Sequence, residues 1–215
     1  MKSDKESFTS IILKTISAMH KGEVFTVVDF LQYAERNTIR VILKRLCDKQ
    51  EIVSIVRGIY YRPPYSEILG EYLPPDPIKV AKAIGRANSW NLIPSGESAL
   101  NILGLSTQVP SVWEFLSDGP YKKYNFFGFT LKFKRTATKT LIGLSDISTL
   151  VIQALRALGQ KSVTHKTIAI LQYKLTENEK KLLMRETTKT IEWIRKVILE
   201  ICMEGSDNEN SFPDG

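Results

Sequence analysis

The densest group of side chains able to bind a charged partner lies in residues 36–62. Seven side chains in this stretch are basic and two, Asp48 and Glu51, are acidic, which gives it a net charge of +5 out of +7 for the whole chain. The basic residues are Arg36, Arg40, Lys44, Arg45, Lys49, Arg57 and Arg62. Guanidinium and ammonium groups at this density can neutralise phosphates, so the pattern favours a nucleic-acid partner.

The spacing within this stretch predicts an amphipathic helix that Asn37 could cap and that runs to about Gln50. With about 100° between successive residues, the apolar side is formed by Ile39, Ile42, Leu43 and Leu46. The opposite side carries Asn37, Val41 and Lys44, with Arg40 and Arg45 at its margins. A helix that reads DNA needs this division, because one face must pack on its domain while the other enters a major groove.

The elements around this helix have the order of a winged helix-turn-helix. Helical spacing of apolar residues predicts a first helix over 5–20 and a short second helix over 27–33. After the third helix, β-branched residues over 52–56 and a return strand over 59–61 predict a hairpin with Arg57 at its bend. The first domain is therefore expected to cover residues 1–64.

A DNA-binding function assigns a role to each polar residue of this module. Arg40 and Lys44 are expected to enter the major groove, and Arg57 is expected to follow the backbone or the minor groove. Asn37 and Thr38 are expected to reach base edges or a phosphate, and Arg36, Tyr60 and Arg62 are expected to contact phosphates. Val41 and Arg45 complete the predicted contact set. Two alternatives stay open, namely a basic helix face that is only solvated and a winged helix that binds another protein.

The remainder of the chain predicts an α+β domain over residues 78–204. Five prolines between 63 and 77 indicate a linker over 65–77, and the polar residues 205–215 are expected to be a disordered tail. Strands are predicted at 112–116, 124–127 and 129–133, in a small antiparallel sheet. Helices are predicted at 78–87, 97–103, 146–158, 165–172, 177–185 and 187–203.

A second basic surface is suggested beside the last of these strands. Phe129 to Lys134 alternates apolar and polar residues, so its lysines share one face. The surface would consist of Lys122, Lys123, Lys132, Lys134 and Arg135. It could bind RNA, DNA or an acidic protein, and the alternative is an ordinary half-solvated strand.

The sequence predicts neither an enzyme nor a metal or cofactor site. It has no phosphate-binding loop of the GxxxxGK[ST] type and no nucleophile elbow. His20, His165, Cys47 and Cys202 lack partners at metal-ligand spacing. The start of the chain does not resemble a signal peptide, and no apolar run could span a bilayer, so a cytoplasmic location without membrane attachment is expected.

Two stretches of the chain resemble the AbiEi family of antitoxins. The first consists of Arg40, Leu43, Arg45 and Leu46, then Ile52, Val53, Ile55 and the run Arg57–Tyr61. The second consists of Ser98–Asn101 and Leu103–Pro110, followed by Ser117, Asp118 and Gly119. The second stretch is the more specific of the two. Together they indicate similarity over about residues 10–135.

This resemblance implies an antitoxin of a type IV toxin–antitoxin (abortive infection) system used in phage defence. Such a protein binds repeats in its own promoter, represses transcription, and counters a nucleotidyltransferase toxin without requiring a stable complex with it. The alternative is a stand-alone winged-helix regulator whose C-terminal domain senses a ligand or a protein. No long apolar seam predicts a stable dimer, so a monomer in solution is expected, and two copies on an inverted repeat stay open.

Overall fold

The computed structural model describes residues 7–137 and 143–203 and shows a mixed α+β protein with small sheets and a helical C-terminal part. The coarse fold class predicted from the sequence is confirmed. Contacts divide the chain into one unit of Met1–Leu92 with Ser111–Thr136 and another of Ile93–Pro110 with Ala137–Gly215. The predicted tail, 205–215, lies outside the described residues.

The first unit starts with helices whose apolar stripes meet in one core. Its elements are α1 (Phe8–Ala18), β1 (Val24–Thr26), a 3-10 turn (Val27–Phe30), α2 (Arg36–Asp48), β2 (Val53–Val56) and β3 (Ile59–Tyr61). Ile12 of α1 packs in this core with Phe30, Ile39 and Leu43, and all four are fully buried. The apolar side predicted for the third helix is therefore confirmed.

The start of α2 differs from the prediction that Asn37 caps it. Arg36 is already helical, Glu35 occupies the N-cap position without a side-chain cap, and the Ile39 amide donates to the Glu35 carbonyl at 3.0 Å. Asn37 therefore lies inside the first turn, where its Oδ1 accepts a hydrogen bond from Arg40 at 3.4 Å.

Strand β3 lies between β1 and β2 in a three-stranded antiparallel sheet. The β2–β3 hairpin was predicted, and Gly58 supplies the positive φ of 82° that its tight turn requires. β1 was not predicted, because three buried residues are too few to show the period-2 alternation of a strand. Thr26 ends β1, and its amide donates to Asp29 Oδ2 at 2.8 Å, which fixes the following turn.

The segment predicted to be a linker, 65–77, instead forms a small hairpin and the first turn of a helix. β4 (Tyr65–Ser66) pairs with β5 (Glu71–Tyr72), and the rings of Tyr65 and Tyr72 lie 5.2 Å apart. Proline lacks an amide donor, so the prolines mark the ends of elements here rather than a free linker. α3 (Pro77–Asn88) starts directly afterwards, because Asp76 accepts the Ile78 amide at 2.8 Å.

Helix α3 lies in the same unit as the first 64 residues, which differs from the predicted domain boundaries. Arg86 of α3 donates to Asp29 Oδ1 at 3.1 Å and to the Val24 carbonyl at 3.1 Å. Lys79 bridges Glu23 at 3.0 Å. These bonds tie both ends of α3 to β1 and its neighbours, and proline content alone could not reveal them.

A second group of strands completes the first unit. β7 (Val112–Ser117) pairs in parallel with β9 (Phe129–Arg135), and β8 (Lys122–Phe126) pairs antiparallel with β9 on its other side. The three strands were predicted, but the parallel pair was not, because local alternation says nothing about strand order. Gly119, in the β7–β8 turn, lies so close to the Trp90 indole that a Cβ atom there would be 2.4 Å from the ring.

The second unit consists mainly of helices. Its elements after β6 (Leu92–Ser95) are α4 (Glu97–Ile102), α5 (Asp146–Leu158), a 3-10 turn (Gln160–Ser162), α6 (His165–Lys174), α7 (Glu177–Glu186) and α8 (Glu192–Cys202). Leu100, Val151, Leu171 and Ile198 are among the buried residues of its core. The helices predicted for this region are present, and Ser145, Thr164 and Thr176 cap α5, α6 and α7. The last helix was predicted to begin at residue 187, but it begins at Glu192 after a turn, with the apolar Ile191 at its N-cap.

The second unit also shows the role of the polar residues in the 98–110 stretch. Asn101 Nδ2 donates to the Gln108 carbonyl at 2.9 Å, and the Gln108 amide donates to Ser106 Oγ at 3.3 Å. These bonds close the turn after α4, so the polar side chains of Asn101 and Ser106 satisfy backbone groups.

Among the described residues, no helix has the length and apolar character needed to cross a membrane.

Candidate nucleic-acid interface

Three of the basic residues of α2 line an open cleft of about 620 Å³ in the first unit. Arg36, Arg40 and Lys44 recur at every fourth position, so they form one stripe along the helix. Arg57, at the turn between β2 and β3, lines the same cleft. The structure therefore brings together four of the predicted DNA-binding cations, and these four are called the cleft cations below.

The cleft has a strongly positive electrostatic character. All four cleft cations are exposed to solvent, and no acidic side chain is among the residues that line the cleft. Within residues 7–137 and 143–203, none of the four takes part in a salt bridge. Arg40 makes only a long hydrogen bond to Asn37, at 3.4 Å. The four charges are therefore available to an anionic partner.

Tyr60 and Cys47 supply a half-buried part of the cleft lining. The Tyr60 ring stacks on Phe25 with centroids 6.2 Å apart. Burial raises the pKa of the Tyr60 hydroxyl, Cys47 adds to the rise, and Arg40 opposes it. Burial and the neighbouring Asp48 likewise raise the pKa of the Cys47 thiol. Both groups are therefore protonated near neutral pH, and the Tyr60 hydroxyl is able to donate a hydrogen bond.

The other side of the cleft comes from residues that the sequence did not suggest. The C-terminal turn of α3 contributes Ile84, Ala87 and Asn88, and β8 contributes Tyr124. No local motif marks them, because they reach the cleft only through the packing of α3 on β1 and of β8 beside β2. Asn88 and Tyr124 are the polar members of this wall.

The remaining predicted residues of α2 face a different direction. Asn37, Thr38, Val41 and Arg45 line a shallow depression beside the start of α1, together with Ser7, Phe8 and Thr9. All four residues of α2 are exposed, including Val41, whose exposure is 50%. The exposed surface of α2 thus has two stripes, a cationic one toward the β2–β3 hairpin and a mixed one toward α1.

Arg62 does not join either stripe. Its guanidinium donates to the Ser17 carbonyl at 2.9 Å and to the Met19 carbonyl at 3.5 Å. These carbonyls lie at the C-terminal end of α1, where backbone acceptors lack partners within the helix. Arg62 therefore completes α1, and the phosphate contact predicted for it is replaced by this structural role.

The second predicted basic surface is divided and partly neutralised. Lys132 and Lys134 share Glu114, at 3.0 Å and 2.7 Å. Burial alone would raise the pKa of the Glu114 carboxyl, but hydrogen bonds from Lys134 and Lys132 outweigh this effect and lower it. Lys122 lies 5.7 Å from the centre of the Trp90 ring.

Strand geometry separates the members of this second surface further. Lys122 and Lys123 are consecutive in β8, so their side chains point to opposite faces of the sheet. Lys123 pairs directly with Lys132 in the register of β8 and β9, so these two side chains share a face that Lys122 does not, and Arg135 lies exposed at the end of β9. The five residues are therefore not one continuous cationic surface, and the α2 cleft is the stronger candidate site.

The described residues also include two histidines and two cysteines. Within them, no three His, Cys, Asp or Glu side chains lie close enough together to hold a metal ion. Cys47 and Cys202 are both free thiols. His20 and His165 are exposed, and His165 is the first residue of α6, as expected from the sequence.

These features define a mixed α+β protein with a cationic cleft built on a helix and a hairpin. The chain belongs to a family of unknown function, DUF6088, whose model matches residues 11–183. Among solved structures, it is similar to the RV2827C protein from Mycobacterium tuberculosis, with 13% identity, a TM-score of 0.44, and coverage of 92% of this chain and 76% of that one. No curated protein matches the chain significantly.

Proposed function

We propose that the protein binds duplex DNA through a winged helix-turn-helix formed by α1, the 3-10 turn, α2 and the β1–β3–β2 sheet. In this arrangement α2 is the recognition helix and the β2–β3 hairpin is the wing. The observation that carries the proposal is the alignment of four exposed cations along one cleft that no acidic side chain lines. Such a surface suits a polyanion better than it suits a neutral or cationic partner.

The arrangement of the two stripes supports a division of roles on DNA. Arg40 and Lys44 would enter the major groove or contact its edge, and Arg57 would follow the backbone. Asn37, Val41 and Arg45 each lie one residue, or about 100°, around the helix from a member of the cationic stripe, and Thr38 lies one further residue around. They would reach base edges on the side of the groove nearest α1.

A gel shift with the DNA upstream of the gene tests this proposal. Arg40→Ala and Lys44→Ala should each weaken binding about tenfold or more, because a lost base-edge or phosphate contact is worth about 1–3 kcal/mol. Arg156→Ala and Lys181→Ala provide matched controls, since both side chains are exposed and lie in the second unit. Unchanged binding in both cleft variants, or equal loss in the controls, would remove the assignment.

The physiological role that we propose is that of an antitoxin that represses its own promoter and counters a nucleotidyltransferase toxin. The support for this role is the resemblance of residues 40–61 and 98–119 to AbiEi-family antitoxins. Co-expression with the product of the adjacent gene tests it. Rescue of growth supports the antitoxin, whereas an adjacent product that is not toxic favours a stand-alone regulator.

A further inference from the structure

We propose that the bound DNA strand is held by both walls of the cleft, so that Asn88 of α3 and Tyr124 of β8 contact its sugar–phosphate backbone. This inference rests on the proposed DNA binding and adds a second wall to it. The DNA-binding surface would then extend beyond the first 64 residues of the chain, to elements that lie outside a minimal winged helix.

The first support is the geometry of the cleft. Asn88 and Tyr124 line the same space as Arg36, Arg40 and Lys44. A backbone drawn into this space by the cations is therefore within reach of Asn88 and Tyr124. Phosphates carry most protein–DNA hydrogen bonds, and Asn and Tyr side chains are among their usual donors.

The second support is the way the wall is fixed in place. Arg86, two residues before Asn88, is bonded to Asp29 and to the Val24 carbonyl, so the end of α3 is anchored to β1. Tyr124 packs edge-on against the buried Phe133, with ring centroids 5.8 Å apart. A wall held by such contacts needs little ordering when it binds, which lowers the entropic cost of association.

The third support is the hydrogen-bonding capacity of the two side chains. Asn88 uses one amide proton on the Ile84 carbonyl, at 2.8 Å, and retains a second proton and its Oδ1 atom. The Tyr124 hydroxyl forms no hydrogen bond within the described part of the chain. Both can donate to a phosphate oxygen without adding charge to the cleft.

The main test compares two single variants of the 215-residue chain, each of which adds one positive charge at a different place. Asn88→Lys places a cation on the wall, where the end of a helix tolerates lysine. Asn125→Lys makes the same substitution one residue after Tyr124 on β8, where the side chain points to the opposite face of the sheet. Binding to the upstream DNA is measured by fluorescence anisotropy at several salt concentrations, and thermal unfolding checks that both variants fold.

Asn88→Lys should bind more tightly than wild type and depend more steeply on salt. One added phosphate contact contributes about 0.9 to the slope of log K against log salt, so the advantage of this variant should shrink about 3.5-fold between about 50 and 200 mM salt. Asn125→Lys should show no comparable change in slope. Equal slopes for the two variants would overturn the inference.

Tyr124→Phe and Tyr121→Phe form a second matched pair, in which each change removes only a hydroxyl. Tyr124→Phe should weaken binding about three- to tenfold, because one hydrogen bond is lost. The exposed Tyr121 precedes β8 outside the cleft, so its variant should bind like wild type. If Arg40→Ala weakens DNA binding but the substitutions at Asn88 and Tyr124 have no effect, the inferred contacts of these two residues are wrong while the proposed DNA binding stands. If the wild-type protein binds no DNA, the proposed function itself fails.

Discussion

Replacing the four cleft cations, Arg36, Arg40, Lys44 and Arg57, by alanine should flatten the salt dependence of DNA binding. Each cation that neutralises a phosphate releases counterions and contributes about 0.9 to the slope of log K against log salt, so four contribute about 3.6. A fourfold rise in salt should therefore weaken wild type about 150-fold more than the quadruple variant. The loss should be graded, with about 0.9 of slope removed by Lys44→Ala alone.

The assay is fluorescence anisotropy with the upstream DNA and with a scrambled duplex of the same length. All four side chains are exposed and form no salt bridge within the described residues, so each substitution should change the free energy of unfolding by about 0.5 kcal/mol or less. Chemical denaturation verifies this condition. A quadruple variant that is folded and keeps the wild-type slope would refute the assignment of the cleft, because its phosphate contacts would have to lie elsewhere.

Two further predictions concern stability rather than binding. Arg62→Ala should lower the free energy of unfolding by about 1–2 kcal/mol, because it removes the hydrogen-bond donors to the carbonyls at the end of α1. The affinity for DNA should stay unchanged. A loss of affinity without a loss of stability would contradict the structural role of Arg62. Burial alone would raise the pKa of the Glu186 carboxyl, but hydrogen bonds from Ser145 outweigh this effect and lower it. A carboxyl whose pKa is lowered in the folded state stabilises the protein above its unfolded pKa of about 4.3, and this stabilisation is lost as the pH falls through the folded pKa. Glu186→Gln should therefore lower the free energy of unfolding by about 1 kcal/mol at neutral pH and by progressively less in acid. Urea denaturation at several pH values measures this difference.

The sequence predicts correctly those helices and hairpins that are determined by residues close together in the chain. The apolar stripe of α2 and the hairpin with Gly58 at its bend follow from helical spacing and from turn chemistry over a few residues. The C-terminal helices were equally predictable, because Ser145, Thr164 and Thr176 cap three of them. Each of these signals lies within about one turn of the element that it specifies.

Features that depend on distant contacts could not be predicted in this way. Arg62 looked like a phosphate ligand because it follows a basic hairpin, but its partners lie 43 and 45 residues earlier in the chain. Asn88 ends a helix outside the predicted binding domain, and Tyr124 follows two lysines that were assigned to a different surface, so nothing in the sequence marks either residue as part of the cleft. The parallel pairing of β7 with β9 likewise depends on strand order, which alternation does not encode.

The cleft cations are difficult to explain by stability alone. Like charges four residues apart on a helix destabilise it by about 0.2–0.5 kcal/mol per pair, and α2 contains two such pairs among Arg36, Arg40 and Lys44. Elsewhere the chain balances its lysines, as where Lys132 and Lys134 share Glu114. Asp48 follows Lys44 at the next fourth position but forms no salt bridge with it within the described residues. A repeated cation without an acid bonded to it makes physical sense where a partner supplies the negative charge. The contrast between the two basic regions therefore supports the cleft, rather than the β9 face, as the site where a polyanion binds.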